Sequence, residues 1–144
     1  MKKLKVFLDT SIIVSHFQDR KDVSWLFSKE VLEKVQYVIN SIVYQETILV
    51  MDQLGARSLV DFEKLDKFVT VVQIDKSKTD VYLEKLRKFR NLLVHANEFL
   101  ILQTAILECD YLLTLDNHFL QIGKVNSLRI VSPTQFFEML GAYQ

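Results

Sequence analysis

Glycine and proline are scarce in this chain: 3 Gly and 1 Pro in 144 residues. That scarcity excludes a Gly-rich phosphate-cradling loop and disfavours a disordered, low-complexity protein. The lone Cys109 excludes an internal disulfide and any zinc site built from several thiolates. No apolar run approaches the roughly 20 residues that a membrane-spanning helix requires. The opening Met1-Lys2-Lys3-Leu4-Lys5 is basic, but the apolar run after it breaks at Asp9, so it does not read as a signal peptide. Cytoplasmic residence is the expectation. Excess charge of one sign is also missing, because the formal net charge is zero. Nucleic-acid binding by bulk charge alone is therefore disfavoured.

What is present is apolar: 49% of the residues are hydrophobic. A single domain spanning 1–144 is expected, large enough for a proper core. Lys5 to Leu8 reads as a buried strand, with Asp9-Thr10-Ser11 positioned to cap a following helix. Val23, Leu26, Phe27, Val31 and Val35 fall on one face of a second helical stretch. Tyr37-Val38-Ile39 is a strand, and Asn40-Ser41 caps a helix that runs to about Leu54 and ends at Gly55. Leu59, Phe62 and Leu65 mark another helix, and Val69 to Ile74 a β-branched strand. Thr79 to Asn91 is an amphipathic basic helix. Asn97 is expected to cap an intensely apolar helix, Glu98 to Cys109. Tyr111 to Leu115 and Leu128 to Val131 are strands, and Ser132-Pro133 opens a terminal helix. Alternation of strands and helices indicates an α/β fold around a mainly parallel sheet.

Against this apolar background, four acids stand out. Asp9 and Asp116 each follow directly on a buried strand, where open α/β sheets bind ligands. Glu46 lies among Ile42, Val43, Leu49 and Val50 at helical spacing, so its carboxylate is expected along a core-facing stripe. Glu98 shares a face with Ile101 and Leu102. Each has a structural reading: a helix cap for Asp9, a turn for Asp116, an ion pair for Glu46, a helix-dipole partner for Glu98. A buried carboxylate is costly unless a positive charge meets it. Four converging carboxylates would need a bound cation or raised pKa values. Six basic residues between Lys76 and Arg90, against Asp80 and Glu84, suit a basic rim beside an acidic pocket.

The residues around these acids resemble a known family. Val6-Phe7-Leu8-Asp9-Thr10-Ser11 is similar to the opening motif of PIN-domain nucleases, and Val43-Tyr44-Gln45-Glu46 to their second-acid helix. Glu98 to Ala105 resembles the third-acid helix, and Leu113-Thr114-Leu115-Asp116-Asn117-His118-Phe119 the fourth motif. Val131-Ser132-Pro133 with Phe136-Phe137 resembles the closing strand and helix. By size, the chain looks most like the VapC-type toxins of toxin–antitoxin pairs. The resemblance implies a three-layer α/β/α fold with a central, mainly parallel sheet of about five strands. It implies that Asp9, Glu46, Glu98 and Asp116 are catalytic acids holding Mg²⁺ or Mn²⁺. Thr10 or Ser11 would orient the first acid, and Thr114 would be the hydroxyl beside the fourth. The implied activity is hydrolysis of RNA phosphodiesters, with an antitoxin protein and a second copy of the chain as partners. Two departures are visible: the third acid is Glu98 where the family usually has Asp, and His118 replaces a frequent further Asp. Beside Phe119, His118 reads as a packing or solvent-facing residue.

Lys85, Arg87, Lys88 and Arg90 are the candidate RNA-backbone contacts, each with a solvated helix face as the plain alternative. His16 and His95 lack partners at metal-ligand spacing. Trp25-Leu26-Phe27 suits either core packing or a partner-binding face. Two other functions fit less of the pattern. One is a PIN-like RNA- or protein-binding module with a weakened site, which Glu98 permits. The other is an α/β phosphatase, for which Ser11 occupies the place of an expected second Asp.

Overall fold

The structure, a computed structural model, describes residues 2–18, 20–55, 66–93 and 96–142. Six strands form one sheet: β1 (Leu4–Leu8), β2 (Val35–Asn40), β3 (Val69–Val72), β4 (Tyr111–Leu113), β5 (Lys124–Val125) and β6 (Leu128–Val131). Their order is β3-β2-β1-β4-β6-β5, parallel throughout except for the β5–β6 pair. Val6, Phe7 and Leu8 are all fully buried. Successive strand residues face opposite sides, so both faces of the central strand are covered, as a parallel sheet requires. The helices that cover it are α1 (Thr10–Phe17), α2 (Lys21–Ser24), α3 (Lys29–Leu32), α4 (Ser41–Leu54), α5 (Thr79–Leu86), α6 (Ala96–Glu108), α7 (Asn117–Ile122) and α8 (Pro133–Ala142). Among the described residues, no helix is long and apolar enough to cross a membrane.

The chain winds outward from β1 to β2 to β3, then returns to place β4 on the other side of β1. The winding therefore reverses between β1 and β4. At such a switch point, the crevice beyond the carboxyl ends of the strands is open to a ligand. Asp9 follows β1 there, and Thr114 to Asp116 follow β4.

Local chemistry sets the helix boundaries around this crevice. Asn40, fully buried, caps α4 by accepting from the Val43 amide at 3.0 Å. Its Nδ2 donates to the Leu100 carbonyl at 3.2 Å and to Thr104 Oγ1 at 2.9 Å, both in α6. One amide side chain thus ties the start of α4 to α6. Gly55, at φ 113°, ends α4 in a conformation other residues rarely adopt. Ser132 and Gln135 bond reciprocally through side chain and backbone, at 3.2 and 2.9 Å, in a capping box that starts α8.

Several expected boundaries are corrected. The helical stretch from Val23 to Val35 is broken into α2, a 3₁₀ turn (Trp25–Phe27) and α3. Ser28 interrupts it in extended conformation and caps α3 through its hydroxyl, while Val35 belongs to β2. The basic helix ends at Leu86 and passes into a 3₁₀ turn, Arg87–Phe89. The apolar helix begins at Ala96, which puts Asn97 in its first turn rather than at its cap. β4 stops at Leu113 because the Leu115 amide is taken by Ser11 Oγ at 3.1 Å instead of by a neighbouring strand. The sheet has a sixth strand, β5, made by a hairpin in which Asn126 adopts φ 53°. The expected helix through Leu59, Phe62 and Leu65 lies outside the described residues, as does His95. Trp25-Leu26-Phe27 serves the core: Leu26 is fully buried, Trp25 stacks on Phe136, and Phe27 meets Tyr37 at 5.3 Å.

Candidate active site

Asp9 is the centre of the crevice. It is only 7% exposed and caps α1, with Oδ1 accepting from the Thr10 amide at 2.9 Å. Its Oδ2 accepts from two hydroxyls, Ser11 Oγ at 2.9 Å and Thr114 Oγ1 at 2.7 Å. Burial pushes the Asp9 carboxyl up to about 6, against these hydrogen bonds, and the nearby charge of Asp116 adds to the rise. Such a carboxyl is poised between its two protonation states, and a bound cation would hold it ionised.

The hydroxyls are shared, which makes the site one hydrogen-bonded unit. Thr114 Oγ1 accepts from the Asp116 amide at 2.9 Å while donating to Asp9. Ser11 Oγ likewise accepts from the Leu115 amide while donating to Asp9. The end of β1 and the end of β4 are in this way stitched together by side chains 105 residues apart. Thr10 Oγ1 reaches the other way and donates to Glu46 Oε1 on α4 at 2.8 Å.

Glu46 does not lie on the core stripe. The buried residues of α4 are Val43, Thr47 and Met51, spaced by four, while Leu49 is 58% exposed. The helix phase thus puts Thr47 toward the core and leaves Glu46 half-buried on the flank, where Thr10 meets it. Glu98 is buried at 8% exposure, in the first turn of α6 with Ile101 and Leu102 behind it. Asp116 caps α7 by accepting from the His118 amide at 2.8 Å.

All four acids line one cleft of about 390 Å³, together with Thr10, Ser11, Asn97, Ile101 and Phe119. Among the described residues, no Lys or Arg lines it. Four carboxylates without a lining cation repel one another unless protons or a metal ion intervene. Ligand atoms of Glu98, Asp116 and His118 lie within 4.8 Å of one another. The donor set suits a divalent ion that takes oxygen ligands.

The family model for the PIN domain matches residues 6–125. The chain belongs to the PIN-domain family. Solved PIN-like structures share its fold across nearly their whole length. A chain of VapBC2 from Rickettsia felis, described bound to a fragment of its promoter DNA, superposes with TM-score 0.71 at 17% identity, covering 90% of this chain and 98% of that one. DNA-bound VapBC from Salmonella typhimurium gives TM-score 0.67 at 17% identity, with the same coverage. FitAcB from Neisseria gonorrhoeae gives 0.63 at 19% identity, again with 90% and 98% covered. No curated protein sequence matches the chain.

Against the PIN-domain pattern, the structure brings Asp9, Glu46, Glu98 and Asp116 into one cleft. It divides the supporting hydroxyls in a way the motif does not specify: Ser11 and Thr114 hold Asp9, whereas Thr10 holds Glu46. Lys85, Arg87, Lys88 and Arg90 do not line the cleft. They are exposed on α5 and the turn after it, where Arg87 lies 3.6 Å from Glu84 and Lys88 sits over the Phe89 ring. His16 packs against Phe27, with ring centroids 4.3 Å apart. His118 is solvent-exposed, as expected, and also lies beside two of the carboxylates, Glu98 and Asp116. The available signal was its place two residues after Asp116, where a capping turn holds its backbone against that carboxylate. Asn40, whose ties to α6 span about 60 residues, was legible only as a cap.

Proposed function

We propose that the protein is a metal-dependent endoribonuclease and the toxin of a toxin–antitoxin pair, acting in the cytoplasm. The observation that carries this reading is the cleft at the β1–β4 switch point, lined among the described residues by four carboxylates and no Lys or Arg. Asp9, Glu46, Glu98 and Asp116 would hold Mg²⁺ or Mn²⁺, both suited to carboxylate oxygens. When bound, the ion supplies positive charge to an RNA phosphate and lowers the pKa of water for attack on phosphorus.

The chain's own residues prepare that chemistry. Thr114 and Ser11 fix the Asp9 carboxylate from one side, and Thr10 fixes Glu46 from the other. Such preorganisation keeps the acids aimed into the cleft before any ligand arrives. Lys85, Arg87, Lys88 and Arg90, exposed outside the cleft, would contact RNA phosphates, where cationic side chains position a backbone without reading its bases. The likeness to VapBC and FitAcB assemblies supports an antitoxin protein as partner, and a second copy of the chain is the other partner of this reading.

The test is incubation of the purified protein with a mixture of structured RNAs and Mg²⁺ or Mn²⁺, beside EDTA and Asp9→Asn controls. Internal cleavage that disappears in both controls is expected. Cleavage that survives either control would overturn the assignment of the cleft. Absence of cleavage in every RNA would favour a binding module built on the same fold.

A further inference from the structure

The proposed ligands are carboxylates, yet a nitrogen stands among them. Ligand atoms of Glu98, Asp116 and His118 are mutually within 4.8 Å. The His118 Nδ1 lies 3.8 Å from Asp116 Oδ1. That is too long for a hydrogen bond. It lies between the two ligand spacings of an octahedral ion, about 3.0 Å for adjacent and about 4.2 Å for opposite ligands with bonds of about 2.1 Å. A turn of the ring by a few tenths of an ångström reaches the nearer one. The ring is also tethered, because the His118 backbone amide donates to Asp116 Oδ1 at 2.8 Å. That bond occupies one lone pair of Asp116 Oδ1 and leaves the carboxylate's remaining lone pairs available to an ion.

We infer that His118 is a nitrogen ligand of the ion held by Glu98 and Asp116, and that it biases the cleft toward divalent transition ions over Mg²⁺. This inference rests on the metal-site reading of the cleft. The selectivity follows from ligand chemistry. Mg²⁺ binds oxygen and keeps its waters, whereas first-row transition ions accept imidazole nitrogen alongside carboxylate. Two carboxylates and one imidazole within 4.8 Å of one another give a mixed donor set, and Asp9 and Glu46 line the same cleft. His118 is half-exposed, so its ring can turn onto an arriving ion without disturbing the core. Asp116 and His118 lie on the same short capping turn, so both ligands come from one rigid piece of backbone.

Mn²⁺ is the probe, since its electron spin reports directly on bound nitrogen. Pulsed EPR of the Mn²⁺-loaded protein is expected to show one imidazole ¹⁴N coupling, which disappears in His118→Ala and His118→Gln. Calorimetric titration of the same proteins is expected to show Mn²⁺ affinity falling by about tenfold to a hundredfold, the range seen when groups around a metal are removed. Mg²⁺ affinity should change little, so the preference for Mn²⁺ narrows. In His118→Asp, where oxygen replaces nitrogen, Mg²⁺ affinity should rise relative to Mn²⁺. Tight Mn²⁺ binding with no nitrogen coupling, and equal affinity in His118→Ala, would overturn the role of His118 and leave the carboxylate site standing. No Mn²⁺ binding by the unaltered protein would overturn both.

Discussion

Replacing Asp9 with Asn should make the metal-free protein more stable at neutral pH while abolishing its activity. The Asp9 carboxyl rises from 3.8 to about 6 on folding, chiefly through burial. That rise corresponds to about 3 kcal/mol of penalty for carrying the charge in the folded state. The sign follows from proton uptake. The folded state holds a proton on Asp9 between about pH 4 and 6 that the unfolded chain has released. Stability from this group is therefore complete below about pH 4 and lost as pH rises through about 6. Asn carries no charge and escapes the penalty. Its Oδ1 can still accept from the Thr10 amide, but its NH₂ faces the Ser11 and Thr114 hydroxyls, which now donate to Asp9. That mismatch costs about 1 kcal/mol. The net expectation at about pH 8 is a gain of about 2 kcal/mol, which shrinks as pH falls and turns into a loss of up to about 1 kcal/mol near pH 4, where only the mismatch remains. Urea unfolding in EDTA at about pH 4 and about pH 8 reads both values. Saturating Mg²⁺ should then stabilise the unaltered protein, by about 2.7 kcal/mol at a hundred times its Kd, and the Asn variant far less. An Asn variant less stable than its parent at the higher pH, or a difference independent of pH, would refute the reasoning.

Three other outcomes are expected. Thr114→Val removes a donor to Asp9 and the acceptor for the Asp116 amide at nearly constant volume; it should raise the Asp9 pKa above about 6 and move the acid limb of the pH–activity profile upward, with Thr114→Ser restoring it. Asn40→Ala removes the α4 cap and two bonds to α6, and should cost about 2–4 kcal/mol in denaturant unfolding, with metal affinity reduced because Glu46 and Glu98 lose their common tether. Neutralising Lys85, Arg87, Lys88 and Arg90 together should weaken RNA binding and lower its log–log salt slope by about 0.7 for each phosphate no longer neutralised, with Mn²⁺ affinity unchanged.

The parts of the fold that were legible in the sequence are those where local chemistry decides. Asp9, Asn40, Gly55 and Ser132 announce helix ends because a short side chain or a missing Cβ meets the backbone within a few residues. The strand ends bearing Asp9 and Asp116 were visible because a buried strand is a continuous apolar run. Helix phase was less accessible. Apolar spacing placed Glu46 on a core stripe with Leu49, but Thr47 holds the buried position and Leu49 faces solvent. A fully buried threonine leaves no trace in hydrophobic periodicity. The same blindness hid the break at Ser28, where a capping hydroxyl outweighs the periodic pattern around it. Contacts between distant residues, such as Thr10 with Glu46 or Thr114 with Asp9, depend on the completed sheet and have no local signature. His118 is exposed, as a solvent-facing reading has it, but its nearness to Glu98 and Asp116 had no local signature either. Its place among the carboxylates emerges only when α6 delivers Glu98 to the same spot.

A crystal grown with Mn²⁺ and measured for anomalous scattering tests the account most directly. The expected result is a strong peak in the cleft, within bonding distance of carboxylate oxygens from at least two of Asp9, Glu46, Glu98 and Asp116. An empty cleft at millimolar Mn²⁺, or a peak only at surface carboxylates elsewhere, would contradict it.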